Sequence, residues 1–155
     1  MASHKGKLQI LVLLSLTFLL PVTVLAYSYP VDEIKLFEDI EKIANLKEDE
    51  IDIGWVALIF AKERDSNLDI DKYNTMLNII ARDIDWKASQ KGNDPDYRVR
   101  VMNTYFFKMI GFQFDKGDPY AEKPSNRTID GAIDTKKGGC WTLPLLYLAV
   151  AQRLG

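Results

Sequence analysis

From Asp32 onward, apolar residues recur every three or four positions, the spacing that lays one apolar stripe along one face of an α-helix. The first such segment, VDEIKLFEDIEKIANL, puts Ile34, Phe37, Ile40 and Ile43 on a stripe, with Asp32 and Glu33 in a first turn where the helix dipole favours acids. In the second, EDEIDIGWVALIFAKERD, the stripe of Ile51, Trp55, Leu58 and Ile59 is widened by Ile53, Val56 and Phe60 until little polar face remains before Lys62. So apolar a helix is expected at the centre of the core. DIDKYNTMLNIIARDIDW repeats the theme with Tyr73, Met76, Leu77, Ile80 and Ile84, and Asp69 reads as its cap. A fourth segment carries Val101, Met102, Tyr105, Phe106 and Met109 before Gly111, which can take the left-handed conformation that ends a helix. Between the last two, KASQKGNDPD reads as a polar loop. No stretch shows the β-branched alternation of a half-buried strand, so the pattern predicts a mainly α fold.

FQFDKGDPYAEKPSNRTIDGAIDTKKGGC reads differently, as loop, short helix, loop. Asp118-Pro119 and Lys123-Pro124 start turns, Ser125 or Asn126 can cap, and Ile129 and Ile133 are spaced to dock one face of a brief helix. Connections of this length inside a domain are commonly functional, which marks it as a site-forming segment. Asn126-Arg127-Thr128 is also an N-glycosylation sequon, relevant only in a eukaryotic host.

The amino end changes the meaning of the rest. Lys5 and Lys7 precede an apolar run from about Leu8 to Leu20, then Pro21 and a small-residue exit with Val24 and Ala26. This is the pattern of a secretory signal peptide over residues 1–26, cleaved after Ala26; the alternative is an uncleaved signal anchor, which would be the only membrane attachment. The expected localisation is secreted or periplasmic. Formal net charge is −2, and cleavage removes two lysines and no acid, leaving 18 basic against 22 acidic residues and a charge of −4. Such a balance argues against a nucleic-acid partner. At 155 residues and 47% hydrophobic, the chain can bury a core without disulfides, and its single cysteine could form none internally. The mature part, residues 27–155, reads as one helical domain.

Candidate chemistry concentrates in KKGGCWTLPLLYLAVAQRLG. Pro144 lacks the amide a helix interior requires, so the last helix must begin near Cys140 or later, with Leu143, Leu146, Tyr147, Val150 and Leu154 as its stripe. Cys140 therefore stands at a helix amino end, where the dipole and the nearby Lys136 and Lys137 favour a thiolate nucleophile. Gly138 and Gly139 would let the chain turn and a substrate backbone approach, and the Trp141 ring could cover the sulfur. The plain alternative is an inert cysteine serving as a small hydrophobe. The only histidine is His4, inside the signal segment, so the mature chain holds none to act as base. A metal site would have to be built from carboxylates, and KEDEID reads more simply as the acidic start of a helix; no cofactor motif appears.

From about Ile51 to Gly155 the chain resembles the transglutaminase-like core family of the SirB type, in which a helical segment precedes a papain-like core. The stretches that carry the resemblance are IDIGWVALIFAKERDSNLDIDKYNTML, VMNTYFFKMIGFQFD, NRTIDGAIDTKKGGC and LPLLYLAVAQRLG, in that order and spacing. It implies an α+β core in which Cys140 is the nucleophile, completed by a histidine and an aspartate on strands that follow. Many SirB-type members lack the cysteine, so Cys140 implies the catalytic branch. The chain departs from the pattern by stopping at Arg153-Leu154-Gly155, where a histidine-bearing strand is expected, so it reads as truncated after the nucleophile helix. The implied reaction is cysteine-dependent acyl transfer or amide hydrolysis on a protein or peptide substrate, inefficient without the missing base. The alternative is a non-catalytic secreted helical interaction module. Self-association is expected through apolar faces left uncovered, with Leu145 and Leu148 among them.

Overall fold

Helix α1, Val31–Ala44, opens the computed structural model, which describes residues 31–92 and 94–155. The signal segment 1–26 lies outside the described residues. Ile40 and Ile43 are half-buried, so the described side chains of α1 lie against the rest of the fold without entering its core; the Ile34 and Phe37 side chains of its expected stripe lie outside the described residues. After a short 3-10 turn at Glu48–Glu50 comes α2, Ile53–Lys62, capped by Asp52, whose carboxylate accepts from the Trp55 amide at 2.8 Å. As its apolar surface requires, α2 is central, packing against α1 and three later helices with Leu58 and Ile59 fully buried. Phe60 departs from the expected stripe: it is 49% exposed, because the partners of α2 close over the side that carries Gly54, Leu58, Ile59 and Ala61.

Helix α3, Ile70–Ser89, is capped by Asp69, as its sequence predicted, and runs three residues into the stretch read as loop. The reason is visible in its core face: Leu77, Ala81, Ile84 and Ala88 are all buried, so the small Ala88 extends the stripe one more turn. Helix α4, Pro95–Asn103, continues into a π-helical stretch, Thr104–Ile110, that ends at Gly111 with φ +86°, the left-handed stop expected there. Phe106 is fully buried, but Met109 is 59% exposed against expectation. In a π-type turn the hydrogen bond reaches to the fifth residue, so the position three beyond Phe106 swings outward and Ile110 returns instead.

The long segment that follows is ordered. A two-residue parallel strand pair, β1 (Gln113–Phe114) with β2 (Lys137–Gly138), sets Gln113 beside Lys137 and Phe114 beside Gly138. These strands correct the strand-free reading; two-residue runs are too short to show any alternation. A 3-10 turn at Pro124–Asn126 leads to α5, Ile129–Thr135, and α6 is Thr142–Gln152. Among the described residues the molecule is mainly helical, with these six helices around one core. Ile129, Ile133, Leu146 and Val150 close that core, and Phe106 joins it to the α4 end through Phe112, 4.5 Å away, and Tyr147, 5.3 Å away. None of the described helices is long and apolar enough to cross a membrane.

The far end of α6 is fastened by Arg153. Its Nη2 donates to both oxygens of Asp52, at 2.9 and 2.8 Å, and to Asn74 Oδ1 at 2.8 Å. Nε donates to Asn78 Oδ1 at 2.9 Å, and Nη1 to the Ala149 carbonyl at 2.7 Å. One guanidinium thus ties the α2 cap, the face of α3 and the carboxyl end of α6. Gly54 makes room for it: a Cβ there would stand 2.6 Å from Nη1.

Candidate functional site

The approach to α6 is built from a polar cluster that holds the backbone ahead of it. Asn126, 1% exposed, donates through Nδ2 to Asp115 Oδ2 at 2.9 Å and to Asp118 Oδ2 at 2.6 Å. Its carbonyl accepts from the Gly139 amide at 2.9 Å and from the buried Thr142 hydroxyl at 2.7 Å. Asn126 therefore bridges two carboxylates on one side and the backbone flanking Cys140 on the other. It is no helix cap; Thr128 occupies that position for α5. With Nδ2 buried between two carboxylates, there is no space for a glycan on Asn126 in the folded protein.

Those carboxylates are held as anions. The side chains of Asn126 and Lys123 and the Gly117 amide outweigh burial at Asp115 and lower its pKa from 3.8 to about 2. Lys123 Nζ lies 3.0 Å from its Oδ2. At Asp118 burial opposes the charge, but the Lys123 amide, the Asn126 side chain and the Glu122 amide prevail and leave the carboxyl below its ordinary value. Each anion is satisfied by donors from the same loop, so the cluster orders residues 115–126 from within.

Cys140 follows directly and is exposed. Helix α6 begins two residues later, and Pro144, its third residue, falls where no intrahelical amide is needed, so the thiol lies at the positive end of the helix dipole. Trp141 is 52% exposed and leaves the cysteine uncovered. The two glycines turn toward the protein: a Cβ on Gly138 would meet Leu143 at 3.1 Å, and one on Gly139 would meet Ala121 Cβ at 2.9 Å and the Asn126 carbonyl at 3.0 Å. They let β2 press against the Asn126 platform, a packing demand separate from the substrate approach their sequence suggested.

Lys136 and Lys137 diverge. Lys136 sits at φ +60°, ending α5, and its ammonium donates to the Ile133 carbonyl and lies 5.2 Å from the Phe112 ring centroid. That ammonium serves the α5 carboxyl end. Lys137 is exposed on β2, and its amide donates to Thr135 Oγ1 at 3.2 Å.

Cys140 opens onto a groove of about 560 Å³ between α4 and α6, walled by Phe107, Phe114, Leu143, Pro144, Tyr147 and Leu148. Phe107 and Leu148 are about half exposed, Leu148 as the pattern predicted, while Leu145 is half-buried. Burial pushes the Tyr147 hydroxyl above its ordinary pKa, so it stays protonated at neutral pH, 2.9 Å from Asn103 Oδ1. Among the described residues, no histidine or carboxylate lines the groove. Among the described residues no three His, Cys, Asp or Glu side chains gather as a metal site.

Sequence reasoning placed Cys140 just ahead of a helix start, as observed, but missed Asp115, Asp118, Asn126 and Thr142 as one unit. The sole trace was the density of Asx and proline in DKGDPYAEKPSN, which signals turns without saying which side chains face one another.

No curated protein and no solved structure gave a match to the chain. The family model described as transglutaminase-like superfamily matches residues 71–155, a span that opens within α3 and takes in the Asn126 platform, Cys140 and α6. With more than half of its length matched, and a cysteine set at a helix amino end within the matched span, the chain belongs to the transglutaminase-like superfamily.

Proposed function

We propose that Cys140 is the nucleophile of a cysteine-dependent acyl-transfer site, of the SirB type within the superfamily. The observation that carries this reading is an exposed thiol at the amino end of α6, opening onto an apolar groove of about 560 Å³. In the reaction, the Cys140 thiolate adds to an acyl carbonyl of a protein or peptide, the bond to the leaving group breaks, and a thioester forms. Water or an amine then attacks the thioester and returns the thiolate. The groove receives the apolar part of the acyl donor.

An amide leaving group departs as an amine and must be protonated. The described residues lining the groove include no histidine or carboxylate to do this, so by themselves they support acylation by activated donors better than amide turnover. That same feature, with Phe107 and Leu148 exposed on the groove wall, favours the second reading, a non-catalytic interaction module. Export is part of the proposal: the signal pattern of residues 1–26 predicts a mature amino end at Tyr27, and amino-terminal sequencing that returned Met1 or Ala2 from soluble protein would contradict it.

A nitrophenyl ester of an arylalkanoic acid separates the two readings. Acyl transfer predicts a burst of one nitrophenolate per chain with the acyl group on Cys140, abolished in Cys140→Ser. Hydrolysis that persists unchanged in Cys140→Ser would leave the interaction module as the better account.

A further inference from the structure

A second groove, of about 490 Å³, lies away from Cys140, between the carboxyl half of α3 and the helix that follows it. Its walls include Trp86, Lys87, Tyr97, Arg100 and Met109. Trp86 is 63% and Met109 59% exposed, and two large apolar side chains left bare on one concavity differ from the scattered single exposures of an ordinary surface. Cations accompany the rings. Lys87 Nζ lies 5.6 Å from the Trp86 centroid and 5.9 Å from that of Tyr105. Around Tyr97, Lys91 Nζ lies 5.2 Å and the Arg100 guanidinium carbon 5.8 Å from the centroid.

The charge is uneven in a way the whole chain is not. Net charge is −2, yet among the described residues the groove lining holds two cations and no carboxylate, with Lys91 beside it. Of the acids close by in the chain, Asp96 lies in the first turn of α4, Asp85 stands 3.4 Å from Arg98, Asp83 accepts from Tyr105 at 2.8 Å, and Asp94 stands 3.7 Å from Arg100 with both side chains more than half exposed. An ion pair so exposed holds Arg100 by little, leaving it free to meet another anion.

We infer that this groove is a docking site for an acidic peptide segment of a partner protein, one that carries an aromatic or aliphatic side chain between carboxylates. The apolar side chain packs on Trp86 and Met109, and its flanking carboxylates meet Lys87, Lys91 and Arg100. Charge complementarity selects this occupant: a purely apolar ligand leaves the three cations unused, and a basic one meets repulsion.

The test titrates the full chain by calorimetry with the blocked pentapeptide Asp-Glu-Phe-Glu-Asp, and with versions carrying Ser for Phe or Lys for every acid. The inference predicts saturable one-to-one binding of the first alone, weakened at least about tenfold by Trp86→Ala, as expected for an aromatic anchor. Lys87→Gln with Arg100→Gln should weaken it about fivefold or more, and the loss should shrink between about 50 and 500 mM salt as screening grows. Lys116→Gln, an exposed change elsewhere, should leave binding unaltered, and circular dichroism confirms that each variant folds. Absence of binding, or binding indifferent to Trp86 and the cations, overturns the inference. So does Trp86-dependent binding to phosphatidylglycerol vesicles without binding to the peptide, which would make the groove a membrane contact.

Discussion

Replacing Arg153 by Met keeps the apolar stem of the side chain and removes the guanidinium that joins α2, α3 and α6. Five hydrogen bonds go with it, two of them to the Asp52 carboxylate. Bonds to charged groups are worth about 1.5–3 kcal/mol each, but they are not additive when one group makes them all. The Arg153 side chain is 10% exposed and that of Asp52 44%, so water takes over much of what Asp52 loses, while the Ala149 carbonyl and the two asparagines lose a mostly buried donor. A loss of about 3 kcal/mol is the result, which for a chain of this size lowers the thermal midpoint by about 9 °C. Asp52→Asn retains an oxygen for the Trp55 amide and removes only the charge, so it should cost less. The double-mutant cycle should then show a coupling of about 1–2 kcal/mol between the two residues. Urea unfolding of the four proteins with a common m-value measures all of this. An Arg153→Met effect under about 0.5 kcal/mol, or strict additivity with Asp52→Asn, would refute the idea that this guanidinium fastens the end of α6.

Gly131→Ala should destabilise by about 2 kcal/mol or more, because the new Cβ would stand 2.6 Å from Ser125 Cα, a backbone atom that cannot step aside; an unchanged urea midpoint would contradict it. The acid limb of stability should carry the signature of Asp115. Its folded pKa, about 2, is depressed below the ordinary 3.8, so its contribution is complete above about pH 4 and is lost as pH falls toward 2. The urea midpoint of the wild type should therefore drop more steeply across that window than that of Asp115→Asn, and parallel slopes would count against the cluster.

Helices were legible in the sequence because an amphipathic helix carries its apolar stripe at a helical period. Asp69 and Gly111 were legible because a cap or a left-handed stop depends on a single residue type in a local setting. What escaped was set by tertiary contact. Phe60 and Met109 lie on apolar faces that only their neighbours could sort into inside and outside, and the π-helical stretch moved Met109 off the expected face. The role of Arg153 escaped because its side-chain partners Asn78, Asn74 and Asp52 are 75 to 101 residues away. Gly138 and Gly139 were noticed for their flexibility, whereas their small size is what the contacts with Leu143, Ala121 and Asn126 require. The Asn126 platform depends on three short-range turns closing on one another, which no periodicity announces.

The central claim is that Cys140 reacts as part of a folded site, held by the Asn126 platform at the mouth of an apolar groove. Its most direct measurement compares the rate at which an arylalkanoyl nitrophenyl ester acylates Cys140 in the native protein with the rate in the urea-unfolded chain, each corrected against a free cysteine peptide in the same solvent. The account predicts native acylation at least about tenfold faster, since the groove holds the acyl donor beside the sulfur, and an advantage that shrinks when the donor is a simple acetyl ester. A native rate equal to or below that of the unfolded chain, with no preference for the larger donor, would contradict it.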